Sequence, residues 1–225
     1  MAWNRSTKSS WPGLITVNNS SPLARSELIL GGQKSGKSRR AEALAQGWLA
    51  QSPEHCAVLI ATAQPWDDEM RTRIARHQRD RAERVPGMRT VEEPMALGDA
   101  LAQYSNPQTL VVVDCLTLWL TNLLMPHDAV EKQPENAENS LEYESNKALA
   151  QDLPAQEAML LIAIKQAAGP VVLVGNEIGL GVIPLGRETR DFVDALGRLN
   201  QDVAAACERV TFMAAGLPLT LKGPP

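Results

Sequence analysis

The sequence has few cysteines, no surplus of positive charge and no long apolar run. Its three cysteines, Cys56, Cys115 and Cys207, lie far apart and are odd in number. Neither a cysteine metal cluster nor a disulfide framework is therefore predicted, and a reducing cytoplasm is the expected location. The formal net charge of -4 and the pI near 5.5 argue against a nucleic-acid partner, since no local basic patch stands out either.

The missing apolar runs exclude further classes of protein. The first residues contain no apolar core of signal-peptide length, and no run reaches the roughly 18 apolar residues of a membrane-spanning helix. We therefore expect neither secretion nor a membrane span. With 44% hydrophobic residues, the 225-residue chain can nevertheless bury a sizeable core as one domain.

A phosphate-binding pattern follows directly after a short apolar run. Residues 31–38 read GGQKSGKS, which matches G-x-x-x-x-G-K-[ST]. Glycines let the backbone turn sharply and bring N–H groups against phosphate oxygens. Lys37 would supply a charge for the β- and γ-phosphates, and Ser38 a hydroxyl for Mg²⁺. A chance match is the alternative, and the strand pattern before the loop and the helix formers after it argue against one. The predicted phosphate contacts are Gly31, Gly32, Gln33, Lys34, Ser35, Gly36, Lys37 and Ser38.

Apolar runs of strand length alternate with helical patterns along the rest of the chain. After the run before the loop, strand-like runs occur at 56–63, 109–114, 170–177 and 209–219, the last of which can continue as a hairpin. Helical patterns lie near 39–51, 67–81, 94–104, 115–125, 141–168 and 187–207. This alternation predicts an α/β fold of the P-loop NTPase type, with a mainly parallel sheet and helices on both faces.

Two stretches do not follow the alternation. Residues 1–25 are rich in Ser, Asn and Thr without periodicity, which indicates a flexible extension in front of a single catalytic domain over 26–225. Residues 127–155 are acidic and rich in Asn and Gln, which is typical of a solvent-exposed, variable insertion.

Two further residues are candidates for the chemistry. Asp114 ends an apolar run, the position at which nucleotide enzymes of this class carry an acidic residue for Mg²⁺. Its alternative role is a helix N-cap, and one residue can have both. His77 lies among arginines in a helical pattern, and nearby cations favour the neutral imidazole, which can attack phosphorus. A solvent-facing helix histidine is the alternative, and residue chemistry alone favours it.

Several short motifs also occur in a specific order along the chain. Besides the phosphate loop, they lie at 61–63, 67–70, 73–77, 89–92, 114–117, 121–124 and 176–181. Together they resemble the bifunctional adenosylcobinamide kinase/adenosylcobinamide-phosphate guanylyltransferase family of cobalamin biosynthesis, over about residues 27–222. The segment from Pro184 to Gln201 is similar to the closing block of that family.

The resemblance implies two successive reactions. ATP or GTP would phosphorylate the hydroxyl of adenosylcobinamide, and GTP would then guanylylate His77, releasing pyrophosphate. Adenosylcobinamide phosphate would take GMP from this GMP-histidine intermediate to give adenosylcobinamide-GDP. Lys37 would stabilise charge during transfer, and Ser38 and Asp114 would hold Mg²⁺. Members of the family are trimers, so a homotrimer is implied as well. The remaining nucleotide contacts that the resemblance implies are Ala61, Thr62, Ala63, Gln78, Arg79, Asp80, Arg81 and Glu92, with Glu92 suited to guanine or ribose.

Two other functions fit the residues themselves. One is a P-loop kinase of another small metabolite, in which His77 is a surface residue and no guanylyl transfer occurs. The other is a nucleotide-binding switch without turnover, against which the joint presence of Lys37, His77 and Asp114 argues.

Overall fold

The structure is a computed structural model that describes residues 23–65, 68–125 and 152–224. Nearly all of the predicted extension 1–25 and of the predicted insertion 127–155 lies outside the described residues, so both stay predictions.

A seven-stranded sheet forms the centre of the fold. Its strands are β1 (Ser26–Gly31), β2 (Cys56–Ala61), β3 (Met88–Glu92), β4 (Thr109–Asp114), β5 (Val171–Val174), β6 (Arg209–Ala214) and β7 (Leu217–Lys222). The strand order is β3-β2-β4-β5-β1-β6-β7, and every neighbouring pair is parallel except the antiparallel β6 and β7. The predicted α/β class, the mainly parallel sheet and the hairpin are confirmed.

Helices cover both faces of this sheet, as predicted. They are α1 (Lys37–Leu49), α2 (Asp68–Arg84), α3 (Leu97–Tyr104), α4 (Leu116–Leu124), α5 (Leu153–Gln166) and α6 (Arg187–Ala206). Along β4, Val111 and Val113 belong to the core layer that includes Trp119 of α4, whereas Val112 belongs to the layer that includes Ala41 of α1. Because its strands are covered on both faces, the sheet appears in the sequence as continuous apolar runs.

Strand β3 is the element that the sequence pattern did not predict. Met88–Glu92 forms an edge strand that pairs only with β2, and its residues are exposed or half-buried. An edge strand needs no continuous apolar run, so the polar composition of β3 gave no strand pattern in the sequence. The predicted helix over 141–168 is described from Leu153 onward only.

A buried carboxylate joins β1 to α1 and β6. Glu27 is fully buried, with Oε1 2.9 Å from Nη2 of Arg40, and the Thr211 hydroxyl donates to the same oxygen at 2.8 Å. Nη1 of Arg209, itself 2% exposed, lies 3.6 Å from Oε2. Two guanidinium groups and one hydroxyl thus stabilise a single carboxylate inside the protein.

Replacing Glu27 with alanine should lower the free energy of unfolding by about 3–5 kcal/mol, because the buried Arg209 charge loses its carboxylate. Denaturant titration monitored by circular dichroism measures the effect. Thr211→Val removes only one hydroxyl from the cluster and should cost about 1 kcal/mol. Equal effects of the two variants would contradict this interpretation of the cluster.

The three thiols should differ sharply in reactivity. Burial raises the pKa of Cys115 and of Cys207 to about 12, whereas Cys56 is exposed. At pH 8 the two buried thiols would be ionised to about one part in ten thousand, and the thiolate is the reactive form. Iodoacetamide should modify Cys56 alone in the native protein, and all three after denaturation, as mass spectrometry can count. Rapid labelling that persists in native Cys56→Ser would contradict this expectation.

Candidate nucleotide-binding site

The predicted site residues meet at one edge of the sheet, where the parallel strands end. The phosphate loop follows β1, and Glu92 and Asp114 are the last residues of β3 and β4. Ala61, the last residue of β2, pairs with both of these carboxylate residues in the strand register. Residues remote in sequence are therefore level with one another at the carboxyl edge, where open α/β sheets bind their ligands.

The phosphate loop needs glycine at both of its ends. Gly31 has φ 149°, and a Cβ on it would lie 2.5 Å from the carbonyl oxygen of Met213. Gly36, with φ 104°, is the N-cap residue of α1, and no side chain caps this helix. An uncapped helix N-terminus leaves backbone N–H groups for an anion. The loop is thus shaped for phosphate, as its sequence predicts.

Lys37 lies within this loop region and is largely buried. Its Nζ donates to the carbonyl oxygen of Gly32 at 2.6 Å, and only 8% of the residue is exposed. Burial lowers the pKa of the Lys37 ammonium, while the nearby Asp114 opposes that shift. The ammonium therefore lies against the loop that would bind the phosphates.

Asp114 lies near two cations, and it does not cap α4. That helix begins at Leu116 with Cys115 as its N-cap and no side-chain cap bond, so the helix-cap alternative is wrong. Asp114 interacts electrostatically with Lys37 and with Arg81. Among the described residues, no three His, Cys, Asp or Glu side chains form a metal group. The half-buried Asp114 carboxylate and Ser38 hydroxyl are nonetheless the oxygen donors that Mg²⁺ prefers, because this ion takes few protein ligands besides phosphates.

Thr62 fixes the turn that carries Asp114. Its fully buried hydroxyl donates to the carbonyl oxygen of Cys115 at 2.7 Å and accepts from the Cys115 N–H at 2.9 Å. Its own N–H donates to the Asp114 carbonyl oxygen at 3.2 Å, and its carbonyl accepts from the Asn122 amide. The polar groups of Thr62 are therefore used within the protein. Ala61 and Ala63 on either side are half-exposed.

Helix α2 presents part of the predicted segment 77–81 to this edge. Arg81 is 8% exposed; burial lowers its pKa, and Asp114 and Glu42 oppose the shift. Gln78 Nε2 donates to Glu92 Oε1 at 3.2 Å, which ties α2 to the end of β3. His77 is exposed one helical turn before Arg81 and so lies on the same side of α2.

Arg79 lies on another side of α2, whereas Asp80, three residues after His77, lies beside it. Arg79 and Asp80 are both exposed. At about 100° per residue, Arg79 lies on the opposite side of the helix from Arg81. The structure thus brings His77, Gln78 and Arg81 together on one side and does not bring Arg79 to that side.

An ion pair that the sequence reasoning missed joins α1 to α2. Glu42 Oε2 lies 3.0 Å from Nε of Arg84, and Glu42 is buried. Burial raises the pKa of Glu42, while Arg84 and Arg81 oppose that shift. Glu42 is one turn after Ser38 on α1, so the sequence could have placed it near the phosphate loop. Spacing alone does not reveal its partner on α2.

Two backbone contacts brace the phosphate loop from neighbouring strands. The Gly216 N–H, in the turn between β6 and β7, donates to the Ser35 carbonyl oxygen at 2.9 Å. The Glu177 N–H, after β5, donates to the Gly31 carbonyl oxygen at 3.1 Å. The sequence predicts the hairpin but not its contact with the loop. No described helix is long and apolar enough to cross a membrane.

Comparison with known proteins gives consistent matches over most of the chain. The family model for cobinamide kinase / cobinamide phosphate guanyltransferase matches residues 27–221. The chain is 45% identical over 200 residues to the bifunctional adenosylcobalamin biosynthesis protein CobP of Pseudomonas aeruginosa, covering 88% of this chain and 98% of that protein. It is 36% identical over 195 residues to the bifunctional adenosylcobalamin biosynthesis protein CobU of Escherichia coli, and 33% over 195 residues to that of Salmonella typhimurium. Each of these two matches covers 87% of this chain and 98% of the relative.

Proposed function

Because the chain belongs to the cobinamide kinase / cobinamide phosphate guanyltransferase family, we propose that it carries out both reactions in a single catalytic domain over residues 26–225. It phosphorylates adenosylcobinamide with ATP or GTP, and then transfers GMP from GTP to the resulting phosphate to give adenosylcobinamide-GDP. One observation carries the proposal: the phosphate loop, Asp114 and the side of α2 that includes His77 and Arg81 converge at one edge of the sheet.

In the kinase reaction, the phosphate loop and the N-terminus of α1 bind the triphosphate, and Lys37 stabilises charge that develops on the transferred phosphoryl group. The acceptor hydroxyl attacks the γ-phosphorus and releases its proton to solvent, and the bond from the γ-phosphorus to the bridging β-phosphate oxygen breaks. Ser38 and Asp114 would hold Mg²⁺, which neutralises phosphate charge when bound. The buried ammonium of Lys37, already directed at the loop, supports this role.

In the guanylyl transfer, His77 is the nucleophile. An imidazole nitrogen attacks the α-phosphorus of GTP, and pyrophosphate leaves. A phosphate oxygen of adenosylcobinamide phosphate then attacks the same phosphorus, and the imidazole leaves. The exposed position of His77, one turn from a buried arginine that interacts with Asp114, supports access to a bound triphosphate.

Glu92 is the candidate for recognition of the nucleoside. Its carboxylate can accept hydrogen bonds from the guanine N1–H and N2–H₂ edge or from ribose hydroxyls. The hydrogen bond from Gln78 holds this carboxylate beside α2 and supports the assignment. Ala61 and Ala63 contact the nucleotide next to it, and the family resemblance supports a cytoplasmic homotrimer.

Two labelled nucleotides test the proposed function. With Mg²⁺ and adenosylcobinamide, γ-labelled ATP should yield labelled adenosylcobinamide phosphate. With Mg²⁺ alone, α-labelled GTP should leave acid-labile label on the protein. Phosphorylation of a different metabolite without protein label would favour the simple kinase, and nucleotide binding without either product would favour the switch.

A further inference from the structure

A strongly exposed apolar segment leaves the sheet beside the phosphate loop. We call residues 178–185, between β5 and α6, the apolar loop. Its side chains are exposed far beyond the usual range for their type: Leu180 78%, Val182 96%, Ile183 77% and Leu185 98%. Single exposed apolar residues are ordinary, but four of this size within six positions form a patch that indicates a binding surface.

The backbone of the apolar loop is held at both ends. At its start, the Glu177 N–H donates to the Gly31 carbonyl oxygen at 3.1 Å, and the Glu177 carboxylate accepts from the Gly179 N–H at 2.8 Å. At its end, Nη1 of Arg190 donates to the carbonyl oxygens of Pro184 and Leu185. The exposed side chains thus stand on a segment anchored to the phosphate loop and to α6.

The two substrates need different surfaces. A nucleoside triphosphate is polar and charged, and the loop at 31–38 with its neighbouring carboxylates suits it. A corrinoid has a large ring system bearing methyl groups and amide arms, so its binding surface should be mostly apolar. Its hydroxyl must also reach the γ-phosphate, which confines the ring to the neighbourhood of the phosphate loop. The apolar loop is exposed and apolar, and Glu177 immediately before it is hydrogen-bonded to Gly31 of the phosphate loop.

We infer that the apolar loop is the surface on which the corrinoid ring of adenosylcobinamide binds, with Val182 and Leu185 as principal contacts. The inference rests on the proposed kinase function and extends it to the second substrate. The ring covers these side chains, while the aminopropanol arm extends past Glu177 toward the phosphates.

Serine substitutions in the loop test the inference. Val182→Ser and Leu185→Ser should each raise KM for adenosylcobinamide about tenfold in the kinase reaction at saturating ATP, with kcat changed less than twofold. Guanylylation of the protein by GTP requires no corrinoid and should keep its wild-type rate. Leu219→Ser is the matched control, because Leu219 is a comparably exposed leucine (59%) on the edge strand β7, outside the apolar loop, and its loss should leave KM unchanged.

The outcomes separate the inference from the proposed function. Unchanged KM in loop variants that still phosphorylate the corrinoid would overturn the inference alone. Light scattering measures the mass of the assembly in the loop variants. A changed mass together with lost guanylylation would also overturn the inference, because the loop would then be a contact between subunits. A wild-type protein that never phosphorylates adenosylcobinamide would overturn the proposed function, and this inference with it.

Discussion

Replacing His77 with alanine should reduce the acid-labile label from α-labelled GTP to background. The variant has no nitrogen with which to attack the α-phosphorus, so the covalent intermediate cannot form. Phosphorylation of adenosylcobinamide from ATP should stay within about threefold of wild type, because a lost side chain on the exposed surface of α2 leaves the phosphate loop and Lys37 intact. The measurement is denaturing electrophoresis of labelled protein beside a kinase assay on the same preparation.

His55→Ala is the matched control for this experiment. The His55 ring stacks on Trp48 with ring centroids 3.7 Å apart, and its Nδ1 lies 2.8 Å from the Trp48 carbonyl oxygen. Its loss should affect packing at the end of α1 without removing label. Label that survives in His77→Ala but disappears in another histidine variant would assign the nucleophile elsewhere.

Replacing Lys37 with alanine should lower kcat of the kinase reaction by about 10²–10³-fold, the usual cost of losing one charged donor at a developing negative charge. Protein guanylylation should fall as well, since the same loop would hold the triphosphate of GTP. Lys37→Arg should not restore the rate, because a planar guanidinium cannot replace a compact ammonium within the loop. Steady-state kinetics of the three proteins measure the effect.

Arg39→Ala provides the comparison for Lys37. Arg39 lies in the same helical turn but is exposed, so solvent screens its charge and its loss should cost less than about threefold. Similar losses in Arg39→Ala and Lys37→Ala would mean that general positive charge, rather than the buried ammonium, supports the reaction. Denaturation midpoints of each variant would exclude unfolding as the cause.

The parts of the fold that could be predicted are those that leave a pattern in a short stretch of sequence. The central residues of β1, β2, β4 and β5 are apolar because helices cover both faces of the sheet. Strand β3 has no such cover, and its pattern of half-buried and exposed residues carries no comparable signal. The same reasoning explains the phosphate loop, in which local backbone geometry demands glycine at Gly31 and Gly36.

The parts of the site that escaped prediction depend on contacts between distant segments. Asp114 could be found because a carboxylate at the end of an apolar run is visible in the sequence. The bond from Gly216 to Ser35 and the ion pair of Glu42 with Arg84 join residues far apart in the chain, and no local pattern encodes them. Thr62 matched a motif as a nucleotide contact, whereas its hydrogen bonds to Cys115 reveal how it holds the neighbouring turn.

The ion pair between Glu42 and Arg84 fixes one end of α2. Arg84 is the last residue of this helix, so the salt bridge fastens that end to α1. His77 precedes Arg84 by two helical turns, about 10 Å along the helix axis. The hydrogen bond from Gln78 to Glu92 holds α2 next to the imidazole, so the helix is fixed at two places, beside His77 and at its last residue.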